Sequence, residues 1–258
     1  MPTRLLARPA LLARPTQPLP GGLALVRGRV HEFCGPARRT LAAMVLGEST
    51  GAVICISPGW QAERLFPDGL RAFAEPGRLI LVGVRHPDDL LWAMEEALRS
   101  GAAPLVVADL PTPPGLTPVR RLHLATEAGA EAARHAARLP PLGLLLTPGT
   151  GGAQGVESRW SLACTPAGGW HLTRLRARLE PPAAWRLQRE DRGWLTLATA
   201  STVEAPRGGA RPSPQRDHSR PRLGLACHGE VSPCCSTALL CWQRWRLWRW
   251  LGQPWPPP

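Results

Sequence analysis

Residues 85–110 read RHPDDLLWAMEEALRSGAAPLVVADL, and this stretch decides the fold class. Pro87 suits the first turn of a helix, where a missing N–H costs nothing. The spacing of the apolar side chains predicts a helix over 87–100, while Glu95 and Glu96 point away from the buried face. That face is expected to pack on a sheet through Leu91, Met94 and Leu98.

Gly101 ends this helix, and residues 104–110 form a short apolar run typical of a buried strand, with Asp109 as its one acid. The same alternation occurs on both sides of the stretch. Further strands are predicted over 26–34, 52–57, 78–84 and 142–146, and further helices over 38–46 and 117–139. Four shorter strands follow, over 159–164, 170–178, 184–189 and 194–199. The sequence therefore predicts an α/β fold with a mostly parallel sheet between helices and antiparallel strands toward residue 200.

The composition excludes some classes of protein. The chain has 258 residues, 31 basic and 19 acidic side chains, and 44% apolar residues, which is enough for a core. All the basic side chains are arginine, and the 30 prolines and 26 glycines fit a GC-rich genome rather than a special function. No run of 18 apolar residues occurs, so no transmembrane span is expected.

The two ends differ from the middle. Residues 1–20 are rich in Arg and Leu, contain no acid and are expected to be a disordered leader. Residues 21–204 form the predicted α/β domain. Residues 205–258 are a basic tail rich in Pro, Gly and Ser that is expected to be disordered up to its Trp/Arg-rich end.

The end of the tail interleaves aromatic and basic side chains. Such a stretch can stack on nucleic-acid bases, lie in a membrane interface or anchor in a groove of a partner protein. A drifted reading frame in GC-rich DNA would produce the same composition. The candidate interaction residues are Trp242, Arg244, Trp245, Arg246, Trp248, Arg249 and Trp250.

The cysteines give no metal site. Cys34, Cys55 and Cys164 lie in apolar surroundings and are expected to be small buried hydrophobes. The other four cluster in the tail without a C-x-x-C pair, so no zinc site is expected: Cys227, Cys234, Cys235 and Cys241.

The turn after the first predicted strand has the position of a phosphate-binding loop. It reads GPARRTL over 35–41, whereas a P-loop needs a second Gly and a Lys before its Ser or Thr. Arg39 and Thr40 stand in the Lys-Thr position, and Asp109 stands where a metal-facing carboxylate would lie. Gly35, Arg39, Thr40 and Asp109 therefore form a vestigial nucleotide site. No cofactor is expected, and ATP with Mg²⁺ is the alternative.

Four stretches together resemble the RecA-type ATPase core, and specifically the ImuA family of bacterial proteins related to it. They are RGRVHEFCGPARRTLA, RHPDDLLWAMEEALRSGAAPLVVADL, GLTPVRRLHLA and LPPLGLLLTPGTGGAQGVESRW. The resemblance covers about residues 22–200, more loosely beyond 165. It implies a cytoplasmic bacterial protein of the SOS response that acts in DNA repair by translesion synthesis. The implied partners are an ImuB-like Y-family protein and an error-prone polymerase subunit, with RecA and DNA as further candidates.

The chain departs from the RecA-type pattern at three functional elements. The water-activating acid that follows the second core strand is replaced by Ser57-Pro58-Gly59. The first DNA-binding loop would follow Asp109, and only residues 111–115 remain there. The second would be residues 148–157, which carry no Arg. We therefore expect no catalytic residue and an accessory, protein-binding role, with an ATP-dependent DNA-binding enzyme and a nucleic-acid binder with Arg-rich ends as alternatives.

Overall fold

A computed structural model describes residues 15–61, 67–166, 168–190 and 193–198. The predictions for the basic tail and its Trp/Arg-rich end lie outside these residues. So does most of the leader.

A nine-stranded sheet organises the described residues, in the order β11-β10-β9-β8-β3-β7-β6-β4-β5. The strands from β5 to β8 in this order run parallel, and β9, β10 and β11 extend the sheet antiparallel. The bounds are β3 Val30–Cys34, β4 Val53–Pro58, β5 Leu79–Val84, β6 Leu105–Asp109, β7 Leu142–Leu146, β8 Ser158–Cys164, β9 Trp170–Ala177, β10 Ala183–Glu190 and β11 Gly193–Ala198. The predicted mostly parallel α/β fold with antiparallel strands toward residue 200 is thus confirmed.

Helices cover both faces of the sheet. α1 (Arg38–Gly47) packs on one face, and α3 (Pro87–Ser100) and α4 (Leu116–His135) pack on the other. The short α2 (Pro67–Leu70) and a 3₁₀ turn at Pro76–Arg78 connect β4 to β5. Two apolar clusters, one on each face, form the core. The helix predicted over 87–100 is confirmed with the same bounds, and Gly101 ends it with a left-handed φ of 62°.

The first strand of the sequence is different from the expectation. The run predicted as one strand over 26–34 divides at Gly28, whose φ is 70°, into β2 (Leu23–Val26) and β3. β2 pairs antiparallel with β1 (Thr16–Leu19), and Leu19 is buried in the core. Residues 16–19 are therefore part of the fold, and the expectation of a disordered leader through residue 20 is wrong for them.

The buried face of α3 also needs correction. Leu90, Met94 and Leu98 are fully buried, whereas Leu91 is partly exposed. Glu95 was expected to point elsewhere, yet it is buried because Arg99 and Arg121 both form ion pairs with its carboxylate. Periodicity alone cannot show that two guanidinium groups will make burial of an acid tolerable.

Two of the three cysteines expected in the core are there. Cys34 and Cys55 are buried, but Cys164 is exposed at the end of β8. None of the helices in the described ranges combines the length and the apolar character that crossing a lipid bilayer requires.

Candidate functional site

The turn from β3 into α1 holds the predicted vestigial nucleotide site. Gly35 takes a left-handed φ of 84° and lies against β8. A Cβ there would come within 2.7 Å of Ser161 Oγ and 2.8 Å of the Leu162 carbonyl oxygen. Glycine is therefore required at position 35 both by its φ and by the close approach of β8.

Three backbone N–H groups of this turn are bonded within the protein. The Gly35 N–H donates to the Gly149 carbonyl at 2.8 Å, and the Ala37 N–H donates to the Leu162 carbonyl at 3.0 Å. The Arg38 N–H donates back to Gly35 at 3.4 Å, and Pro36 has no N–H to offer. A phosphate-binding loop works by pointing such groups at the phosphate. Here those three donors point at carbonyl oxygens.

Arg39 and Asp109, both named as candidate site residues, form an ion pair. Arg39 Nε donates to Asp109 Oδ2 at 2.7 Å, and its terminal nitrogen lies 2.7 Å from the same oxygen. A terminal nitrogen of Arg38 lies 3.9 Å from Asp109 Oδ1. Guanidinium groups thus face both oxygens of the Asp109 carboxylate. A metal ion at this position would need those oxygens as ligands. Thr40 is half-buried in the first turn of α1.

A small cavity of about 110 Å³ lies beside this pair, on the α1 face at the carboxyl ends of β4, β5, β6 and β7. Ligands of open parallel sheets bind at this edge. The walls are mostly apolar, and Ser57 and Asp109 are their polar members. The lining residues are Cys55, Ile56, Ser57, Leu81, Gly83, Val107, Asp109 and Leu146. Burial raises the pKa of the Cys55 thiol to about 12, so it stays protonated and is a poor nucleophile.

Glu32, in the middle of β3, is a buried carboxylate that sequence analysis did not identify. Oε1 accepts hydrogen bonds from Thr147 Oγ1 at 2.7 Å, the Gly152 N–H at 2.8 Å and the Ala153 N–H at 3.0 Å, and Arg159 forms an ion pair with Oε2. Burial raises the pKa of Glu32, but these hydrogen bonds outweigh it and hold the pKa below its usual range. The only signal in the sequence is one acid inside an apolar run, HEFC over 31–34.

The Glu32 network fixes the connection from β7 to β8. This connection includes residues 148–157, the position of the second DNA-binding loop in the RecA-type comparison. Arg159 adds a second attachment by donating to the Ala153 carbonyl at 2.9 Å. The segment is therefore bound to the face of the sheet by side chains of β3 and β8.

His31, next to Glu32, is held neutral. Its Nε2 lies 3.0 Å from the Val26 carbonyl, which can only accept, so Nε2 carries the proton. Its Nδ1 then accepts from the Ser158 hydroxyl at 2.7 Å, and Ser158 in turn accepts from Trp160 Nε1 at 2.7 Å. Burial lowers the pKa of His31 to about 4.

Nowhere in the described ranges do three or more His, Cys, Asp or Glu side chains form a group that could hold a metal ion. Of the four candidate nucleotide-site residues, Gly35, Arg39 and Thr40 lie in the turn and helix that follow β3, and Asp109 ends β6. The ion pair joins Arg39 to Asp109. The seven candidate interaction residues from Trp242 to Trp250 lie outside the described residues.

No family model matches the chain, and no curated protein matches it. Among solved structures, the chain is similar to SulA from Pseudomonas aeruginosa with 22% identity and a TM-score of 0.37. The match covers 46% of this chain and 98% of SulA. A likeness at this level carries no conclusion about the present chain.

Proposed function

We propose that this chain is a non-catalytic, RecA-like accessory protein that supports error-prone, translesion DNA repair synthesis through protein contacts. The Arg39–Asp109 ion pair carries the proposal. It places a guanidinium group where a nucleotide enzyme needs a metal ion. Three N–H groups of the adjoining turn, those of Gly35, Ala37 and Arg38, donate to backbone carbonyls and add to this.

The order of elements supports the RecA-like part of the proposal. A parallel sheet between helices is followed by an antiparallel extension, and the altered turn follows the first parallel strand. The stretches 27–42 and 85–110, which carry the resemblance, form the strand–turn–helix of this site and the helix–strand unit that ends at Asp109.

The partners follow from the resemblance to the ImuA family. We propose an ImuB-like Y-family protein and an error-prone polymerase subunit of the same bacterium, in the cytoplasm and under SOS control. RecA and DNA are further candidates.

Calorimetric titration with ATP and Mg²⁺ tests the non-catalytic part. We expect no heat of binding at micromolar protein and nucleotide. Binding in the micromolar range that is lost in Thr40→Ala or Asp109→Ala would establish the alternative, an ATP-dependent enzyme. Leu124→Ala, on the exposed face of α4, is the matched control for these variants.

Affinity purification of the full chain with the ImuB-like protein and the polymerase subunit tests the accessory part. We expect a complex that forms without nucleotide. A complex that forms only with ATP would contradict the proposal, and so would the absence of any complex.

The charge distribution favours a second candidate function, binding of single-stranded nucleic acid. Residues 205–258 carry 8 Arg and 2 acids, a net charge of +6 by difference. Affinity for single-stranded DNA that falls with salt and disappears on deletion of 205–258 would support it. Affinity that survives the deletion would contradict it.

A further inference from the structure

The edge strand β5 exposes apolar side chains on both of its faces. Ile80 is 51% exposed and Leu81 is 59% exposed. Ile80 and Val82 alternate with Leu79 and Leu81, so one apolar side chain is open on the α3 face and one on the α1 face. A Cβ at Gly83 would meet no atom within 4 Å, so the surface there is open as well.

β5 carries none of the usual protection of a sheet edge. Among the strands that the structure describes, only β4 pairs with it, in an unbroken register over all six residues. The strand reads LILVGV, without a charge, a proline or a bulge. An edge of this kind is a template for pairing with another strand, because no strand of the described ranges bonds to its outward N–H and C=O groups.

The flanking charges favour a second copy of β5 as that strand. Glu75, before the strand, and Arg85, after it, are both exposed. In an antiparallel pair the end of one strand lies beside the start of the other, which brings Arg85 of one copy toward Glu75 of its partner. Arg78 does not oppose Arg85, because its guanidinium is turned into its own chain. It donates there to Leu46, Ser49 and Gly51. Asp88 and Asp89 begin α3, which lies in the layer above the sheet.

Symmetry also favours the antiparallel arrangement. In an antiparallel pair, the N–H of each outward-bonding residue donates to the carbonyl of the residue opposite it, and the reverse bond forms as well. Two identical strands related by a two-fold axis can therefore bond all their outward N–H and C=O groups to each other. We propose that two copies of this chain associate by antiparallel pairing of their β5 strands, which joins their sheets into one continuous sheet. The paired edge would also cover Ile80 and Leu81.

Sedimentation equilibrium of the full-length chain over a range of concentrations tests this proposal. We expect a dimer for the wild type and a monomer for Ile80→Lys and for Leu81→Lys, since a charge on an edge strand prevents pairing. Leu124→Lys is the matched control, because Leu124 is 65% exposed on α4, away from β5, and should leave the dimer intact. Misfolding is excluded as the cause of a monomer if Ile80→Lys and Leu81→Lys have the same thermal midpoint as the wild type at high dilution.

Hydrogen exchange of the outward-pointing amides of 79–84 separates the other occupants of this edge, because the amides that bond to β4 are protected in every case. The outcomes below refer to these outward-pointing amides. Protection that decreases on dilution of the wild type supports the dimer. A wild-type monomer with protected amides means that a segment of the same chain covers the edge. A wild-type monomer with freely exchanging amides leaves the edge for a different protein. Either monomer overturns the proposal, and so does a dimer that survives both β5 substitutions.

Discussion

Glu32 joins three separate parts of the chain through one carboxylate, and its replacement should be costly. In Glu32→Gln the charge is lost while Arg159 remains beside it, mostly buried. Removing one partner of a buried pair costs about 3–5 kcal/mol of the free energy of unfolding. We expect a loss of this size in urea unfolding at neutral pH. Glu131→Gln, which removes an exposed acid, should change stability by less than about 1 kcal/mol.

The same substitution should alter the acid stability. The pKa of Glu32 is lower in the folded than in the unfolded state, so its contribution is present above the unfolded pKa and is lost as the pH falls through the folded pKa. Glu32→Gln should lack this part of the pH dependence. If the free energy of unfolding has the same dependence on acidic pH in Glu32→Gln as in the wild type, Glu32 is not ionised in the folded protein.

His31 adds a second pH dependence at higher pH. Burial holds the folded pKa of His31 at about 4, well below its ordinary value of 6.5, so between these two values the unfolded state binds the extra proton. The contribution of neutral His31 to stability should be fully present above pH 6.5. Below that pH the free energy of unfolding should fall by about 1.4 kcal/mol for each pH unit, down to about pH 4. His31→Gln should flatten this slope. Urea midpoints measured from pH 7 to pH 4 will show whether it does.

Leu90 and Leu91 offer a direct test of which face of α3 is buried. Leu90 is 1% exposed, and Leu90→Ala should cost about 2–5 kcal/mol of the free energy of unfolding. Leu91→Ala should cost clearly less, because Leu91 keeps part of its surface in water. Equal losses in urea unfolding would show that both side chains are buried in solution.

The contact between α3 and α4 depends on two glycines. A Cβ at Gly129 would come within 1.9 Å of the Leu98 carbonyl oxygen, and one at Gly101 within 2.3 Å of the Gly129 carbonyl oxygen. Gly129→Ala must push the helices apart and should cost at least about 1–3 kcal/mol. Gly69→Ala in α2 is the control, since a Cβ there meets nothing within 4 Å. A thermal midpoint unchanged by Gly129→Ala would mean that the two helices are farther apart in solution.

The sequence predicted a helix or strand accurately where it contains residues typical of the beginning or end of that element. Pro87 and Gly101 fixed both bounds of α3, and the run at 142–146 gave β7 without error. The β1–β2 hairpin was missed because its strands have four residues each and directly follow an Arg- and Pro-rich leader. Its turn is visible only in retrospect as Gly21-Gly22, with φ of 87° and 73°.

The candidate site was predictable in position but not in chemistry. The turn at 35–40 and the acid at 109 follow from strand order, because the carboxyl ends of parallel strands share one edge of the sheet. That Arg39 would reach Asp109 does not follow, since the two are 70 residues apart and their pairing depends on side-chain geometry. The Glu32 network was missed for the same reason, because its partners lie 115 to 127 residues away.

For the molecule as a whole, the division after residue 204 is the prediction that is easiest to test. The described part of the sheet ends with β11 at Ala198. The composition after residue 204, rich in Pro, Gly and Ser, predicts too little apolar burial to contribute to the core. Deleting 205–258 should therefore leave the thermal midpoint nearly unchanged. If the truncated chain unfolds at a clearly lower temperature, the Trp residues of the tail pack on the core, and the domain boundary is wrong.

The central place of β3 has a consequence for the order in which the chain is made. Both neighbours of β3 in the sheet, β7 and β8, come late in the sequence, and Thr147 follows Glu32 by 115 residues. At a synthesis rate of about 5–20 residues per second, this separation takes roughly 6–23 s. During that interval on the ribosome, Val30 and Phe33, which are fully buried in the finished protein, have neither of their flanking strands. The nascent chain must therefore be protected from aggregation before its own sheet can close around them.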